Sequence, residues 1–415
     1  MMLQNFNFDK LEDFQNSSFE DITNLKLNLW GNDIGDEGIQ TIGQCFEKCL
    51  NLQKLSLDLS SNNIGIKGIQ CLHLYLASCK KLTNLELYLR SNSIGDQGIA
   101  SLKNCSNFIS LTLDLSCNTI CANGTPKISQ FLSECVNLQS LALYLSTNDI
   151  GDQGLSDLVS SFSECKSLQT LSMNISYNCV GDQGISALGL SLSNCLNLQK
   201  LELNLQSNDI SFNGFTNLCK GLQKNPNLQS ITMFLRTSNV NSESISSIGL
   251  GLSNCLNIQY IALYLRGNEI GDQGLYSLVN SLVNCENLQN LQLYLRGNQI
   301  SCEGASNVGQ LLSKSKSIKF LTLYLRENSI KSKGAIQLVS NLESCVNLKS
   351  LNIDIWYNKI DNDVLTGLID SLKKYKNLQV LFLFLKRNSI NISVDNILSK
   401  VIQKLRKMVK FKLSY

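Results

Sequence analysis

Apolar and polar residues alternate in short runs that return at a fixed interval along the chain. Leu55, Leu57 and Leu59 alternate with Ser56 and Asp58, the period-two signature of a strand with one face buried. Asn62 and a glycine-bearing turn follow. Apolar positions three and four apart then mark an amphipathic helix, Ile69, Leu72 and Leu76. This change of period within one unit predicts strand, turn, helix and return loop. The asparagine recurs at Asn32, Asn62, Asn92, Asn118, Asn148, Asn178, Asn208, Asn268, Asn298, Asn328, Asn358 and Asn388, with Ser238 in the remaining slot. The 13 copies lie 30 residues apart, except for 26 between Asn92 and Asn118. The missing four, between Leu102 and Cys105, equal about one helical turn, so the apolar stripe keeps its phase.

One such unit cannot bury its apolar face alone, so successive copies must stack. The 415 residues therefore read as one array rather than as several globular domains. Residues 1–21 are expected to form an opening half-repeat and residues 22–407 the thirteen repeats. Residues 408–415, with Met408, Phe411, Leu413 and Tyr415 on strand positions, are expected to close the stack. An irregular seam is expected near 219–245, where the glycine turn is replaced by TSNVNSES and where Asn225 and Pro226 interrupt a column of cysteines. The predicted fold is an α/β solenoid, with a parallel sheet on the concave face and helices on the convex face. Strands stack at about 4.8 Å and helices at about 9 Å, and the mismatch predicts a horseshoe.

The run L-x-x-L-x-L followed by N-x-I-G-D-x-G and a full helix, as in Asn257–Leu275, resembles the ribonuclease-inhibitor-like class of leucine-rich repeats over roughly residues 22–415. The strand segment is two residues longer than in that class. This variant resembles large repeat families of ciliate-type single-celled eukaryotes, some of which carry a kinase domain elsewhere. The resemblance implies a scaffold, inhibitor or sensor and, in one branch, an activator of the small GTPase Ran. The period of 30 and the lack of that branch's signature count against the last.

Composition narrows the function classes. Apolar residues make up 43%, enough for a continuous core, and the net charge of +3 is too small for a general nucleic-acid binder. No stretch has the roughly 18 apolar residues of a membrane span, and the opening MMLQNFNFDKLEDFQNSSFED has no apolar export core. A soluble, cytoplasmic protein without membrane or nucleic-acid partners is expected. Most of the 16 cysteines fall in one column, Cys49, Cys79, Cys105, Cys135, Cys165, Cys195, Cys255, Cys285 and Cys345, where each helix returns to the next strand. With one histidine, His73, and no C-x-x-C pair, these read as reduced, buried core residues rather than metal ligands. The I-G-D-x-G turns read as structural, the glycines allowing the tight turn and the aspartate capping the following helix. No nucleophile, base and orienter can be assembled, and kinase signatures are absent. Neither a catalytic residue, a metal nor a cofactor is expected.

The exposed side of the strands carries the candidate site. The position before the third strand leucine changes to Phe234, Tyr264, Tyr294 and Tyr324 in the second half. The position after that leucine becomes Arg236, Arg266, Arg296 and Arg326, with Trp356 next. Five of the chain's seven arginines share this column, including Arg90. Serine fills it at Ser116, Ser146 and Ser176, so the fold is expected to tolerate serine there. Adjacent arginines repel by roughly 0.8 kcal/mol in water, and stacking on a neighbouring aromatic face would return about 0.5–1 kcal/mol, so the two nearly cancel. Tyr, Trp and Arg dominate protein-binding hot spots, so the expected partner is a protein with an acidic or mixed-charge surface.

Overall fold

The computed structural model describes residues 5–19, 21–101, 107–390 and 410–414. The shortened helical segment 102–105 with Cys105, together with Met408 and Tyr415, lies outside these. The chain divides into two compact units, Met1–Asp209 and Ile210–Tyr415.

In the first unit the strands β1 (Asn5–Phe8), β2 (Asn24–Asn28), β3 (Lys54–Asp58), β4 (Asn84–Tyr88), β5 (Ser110–Asp114), β6 (Ser140–Tyr144), β7 (Thr170–Asn174) and β8 (Lys200–Asn204) pair in parallel in chain order. In the second unit β9 (Ser230–Phe234), β10 (Tyr260–Tyr264), β11 (Asn290–Tyr294), β12 (Phe320–Tyr324), β13 (Ser350–Asp354), β14 (Val380–Phe384) and β15 (Lys410–Ser414) do the same. Each unit is thus an α/β solenoid of strand, turn and helix.

Register follows from the leucines. Leu291 pairs with Leu321 and Leu293 with Leu323, so neighbouring strands such as β11 and β12 turn the same alternate residues inward. Leu291, Leu293 and Leu295 are wholly buried, each contributing roughly 2 kcal/mol of hydrophobic stabilisation. The third leucine lies past the strand proper, yet the parallel ladder continues through it. Leu265 N–H donates to Tyr294 O at 2.8 Å, and Leu295 N–H to Tyr324 O at 2.7 Å. The longer repeat therefore builds a taller sheet wall, on which the position after that leucine is still held by ladder bonds. On the other side lie helices such as Ile66–Ser78, which buries Ile69, Leu72 and Leu76.

The recurring asparagine joins neighbouring repeats. Asn62 Oδ1 accepts from the backbone N–H of Asn32 at 2.9 Å and of Ile34 at 3.1 Å. Its Nδ2 donates to Leu29 O at 2.7 Å and to Ser60 O at 3.0 Å. One buried amide thus satisfies four backbone groups that the turn leaves unpaired. Ser238 is too short for this and bonds only its own repeat's Arg236 O, at 3.1 Å, through its side chain.

The turn aspartate acts differently from the sequence expectation. It lies inside the first turn of its own helix and makes no cap there; it reaches the next repeat instead. Asp152 Oδ1 accepts from Gly181 N–H at 2.7 Å and Gly184 N–H at 2.9 Å, capping the helix Asp182–Leu192 of the following repeat. This also explains the second glycine. A Cβ on Gly304 would stand 2.0 Å from Asp272 Oδ1, so glycine there leaves room for the preceding repeat's aspartate. The first glycine serves the backbone: Gly151 and Gly271 both have φ +61. In the irregular stretch 219–245, Asn241 replaces the glycine turn and caps its own helix, accepting from Glu243 and Ser244 N–H at 3.1 and 2.9 Å.

Candidate functional site

In the first unit the column before the third leucine is mostly Asp or Asn, and the reason is local. Asp58 Oδ1 accepts from Ser60 N–H at 3.0 Å, Asp114 from Ser116 at 2.9 Å and Asn174 from Ser176 at 3.0 Å. The side chain closes a small turn with the backbone two residues on. An aromatic ring cannot do this. Where the second unit places Phe234, Tyr264, Tyr294 and Tyr324, that local bond is exchanged for something else.

The exchange is a stack. Parallel register sets Tyr264 directly beside Phe234 and Tyr294, and Tyr294 beside Tyr324. Ring centroids are 4.4 Å apart for Phe234–Tyr264 and 4.0 Å for Tyr264–Tyr294, with interplanar angles of 20° and 6°. Tyr294–Tyr324 is more tilted, at 4.8 Å and 32°. All four rings are half-buried, presenting edges outward while neighbouring faces cover one another. Tyr294 Oη donates to Gln292 Oε1 at 2.9 Å, and Tyr324 Oη accepts from Asn352 Nδ2 at 3.3 Å. Burial first, then the neighbouring tyrosines, pushes the Tyr294 hydroxyl well above its usual range, so it remains a neutral donor.

No arginine among the described residues lies over these four rings, whose faces cover one another. The arginines divide into two pairs. Arg296 Nε donates to Glu327 Oε2 at 2.8 Å, and its Nη2 bonds Oε1. Arg326 donates through Nε and Nη2 to Asp354 Oδ2, both at 2.6 Å, and lies over the Trp356 ring at 4.5 Å. Arg387 approaches the same ring at 5.3 Å. The Asp354 side chain is 0% exposed, and burial raises its carboxyl above the ordinary value against the pull of Arg326. Arg236 and Arg266 make no ion pair among the described residues. Desolvation first, then Arg296 and Arg236, holds the Arg266 guanidinium below its ordinary pKa. The serine substitution that sequence comparison allows at every arginine therefore fails at Arg326, whose loss would strand a buried carboxylate.

Sequence reasoning passed over Glu327 and the partner role of Asp354, although repeat alignment places each 31 or 28 residues after its arginine. It also passed over Tyr260 and Phe320, which stand at the foot of the same face. Phe320 is 43% exposed.

The cysteine column belongs to the core. Cys49, Cys135, Cys165, Cys195, Cys255, Cys285 and Cys345 are buried, Cys79 is half-buried, and no disulfide joins the described cysteines. Burial pushes the thiols of Cys49, Cys195 and Cys255 up to about 12. Several close the helix end: Cys49 Sγ contacts Cys45 O at 3.4 Å, and Cys135 Sγ contacts Phe131 O at 3.5 Å. No group of three or more His, Cys, Asp or Glu among the described residues is placed to hold a metal ion. No helix among them is long and apolar enough to cross a membrane.

A family model described as Leucine Rich repeat matches residues 22–43, 51–72, 81–103, 137–159, 164–189 and 262–279. The chain carries leucine-rich repeats. Leucine-rich-repeat proteins are in general interaction scaffolds, and the fold is typically non-enzymatic. A solved leucine-rich-repeat protein of Leptospira interrogans is similar at 16% identity, with a TM-score of 0.43, over 99% of this chain and 99% of that one. The TLR13 chain of a complex with ssRNA13 is similar at 16% identity, with a TM-score of 0.47, over 98% of this chain and 64% of that one. No curated protein matches the sequence.

Proposed function

We propose that the protein is a non-enzymatic scaffold that binds a partner protein on the sheet face of β9–β13. The carrying observation is the stack of Phe234, Tyr264, Tyr294 and Tyr324, each followed two residues later by an arginine, on the sheet face. First-unit repeats fold with Asn and Ser in the same two columns, so apart from Arg326, which holds the buried Asp354, the aromatic and basic residues are not required by the architecture. They sit on paired strands, where ordering them against a partner costs little entropy. Trp356 and the arginines add the residue types that carry most binding energy in protein interfaces. The helix in every complete described repeat supports placing the chain in the ribonuclease-inhibitor-like class. The cationic face supports a partner with an acidic or mixed-charge surface, met inside the cell.

The test is affinity capture with a variant that keeps the fold. Tyr264→Asn with Tyr294→Asn installs the residue that already serves this column at Asn174 and Asn204. Capture of the main partner is expected to be lost while melting changes little. Equal capture by the variant and the unchanged protein would remove this face as the binding site.

A further inference from the structure

The four arginines are not equivalent, and the difference has a direction along the sheet. Arg296 is held by Glu327 and Arg326 by Asp354, so these two guanidiniums are already neutralised within the chain. At the Phe234 end, Arg236 is exposed and Arg266 half-buried, and neither has an ion-pair partner among the described residues. They stand two residues past the ends of the paired strands β9 and β10, where the ladder still continues, Thr237 N–H donating to Arg266 O at 3.1 Å, and neighbouring backbones of such a ladder run about 4.8 Å apart. Two guanidiniums at that spacing repel one another and can both donate to one carboxylate.

We infer that Arg236 and Arg266 form a fork for a carboxylate of an acidic segment in a partner protein. This rests on the protein-binding reading above and names the chemistry of its partner. An anion between the two cations relieves their repulsion and meets guanidinium donors whose backbones the ladder already holds. The tyrosine edges beside it, positive at the ring rim, suit the same charge. A nucleic acid suits the site less well. Bases bind such surfaces by stacking on open ring faces, and here the faces of Tyr264 and Tyr294 cover each other at 4.0 Å. Two open arginines also neutralise few phosphates. Tyr260 and Phe320, roughly 20 Å down the strands from the arginines, offer apolar surface to the same segment.

The test uses the full chain and a fluorescein-labelled hexaglutamate peptide at low salt, read by anisotropy. Saturable binding is expected, absent with hexaglutamine. Arg266→Ser should weaken it about tenfold or more, and Arg296→Ser by less than about threefold, since that guanidinium is already engaged. Glu327→Gln should tighten binding by about threefold, because it frees Arg296 to extend the fork. Absence of saturable binding, equal losses from Arg266→Ser and Arg296→Ser, or no gain from Glu327→Gln would overturn the inference. So would displacement of the peptide by oligouridylate at lower concentrations than unlabelled hexaglutamate needs. If the fork fails while Tyr264→Asn with Tyr294→Asn still abolishes capture, the carboxylate is wrong and the protein-binding face stands.

Discussion

A single buried amide shows how much of this fold rests on individual side chains. Asn62 is wholly buried and holds four backbone groups, so Asn62→Ala leaves donors and acceptors of two repeats unpaired. We expect a loss of about 3 kcal/mol or more in denaturant unfolding, against about 1 kcal/mol for the exposed neighbour Asn63→Ala, whose φ of +55 alanine adopts less readily. The asparagine column was legible in the sequence because its need recurs in every repeat. Asp354 was not legible, since one carboxylate in a mixed column gives no periodic signal and its burial depends on the Trp356 and Arg326 packed over it. Arg326→Ser should cost about 2 kcal/mol at neutral pH, below the ~3–5 of a fully buried pair because the guanidinium is partly solvated. A raised carboxyl pKa means that the folded chain holds the proton more tightly than the unfolded chain. Its contribution to stability is present in acid and falls as pH rises through the folded pKa. Losing Arg326 raises that pKa further, so the deficit of the variant should shrink as pH falls through the carboxyl's raised range. A deficit that grows in acid would contradict this account of Asp354.

At the scale of the element, the repeat couples to its neighbour through the turn rather than through the helix faces alone. Asp272 accepts from Ser301 N–H at 2.8 Å, in the space that Gly304 leaves open. Gly304→Ala should therefore destabilise by about 1–3 kcal/mol, and much of that cost should vanish in an Asp272→Ala background. Additive losses in the double-mutant cycle would show that the glycine serves backbone conformation only. Sequence spacing placed the turn and its glycines correctly. It assigned the aspartate to the wrong helix, because a linear pattern does not show which of two stacked helix ends a side chain reaches. The cysteines close the helices in the same structural sense. Their neutral thiols should resist alkylation in the native protein, with exposed Cys179 reacting first and the buried column only on unfolding. The unfolded chain releases these protons near the ordinary thiol pKa and the folded chain only near about 12 for Cys49, Cys195 and Cys255. Stability should accordingly fall as pH rises above about 8.5. Rapid native labelling of the column would overturn the core assignment.

Within the whole molecule, each of the two units repeats one solution to burial and leaves one sheet face free to vary. The first unit fills that face with residues that bond their own backbone, such as Asp58, Asp114 and Asn174. The second fills it with rings that stack and cations that reach outward. The sequence made this change of character visible, since Tyr and Arg recur at fixed register from Phe234 to Arg326. The pairing of Arg296 and Arg326 within the chain emerges only when neighbouring repeats are set side by side in space. The most direct test of the account is the affinity of the purified partner for three forms of the full chain. These are the unchanged protein, Arg236→Ser with Arg266→Ser, and Asp58→Ser with Asp114→Ser. The account predicts a Kd about tenfold or more weaker for the arginine variant and nearly unchanged for the aspartate variant, with both folded. Equal affinity for the arginine variant, or a larger loss from the aspartate variant, would contradict it.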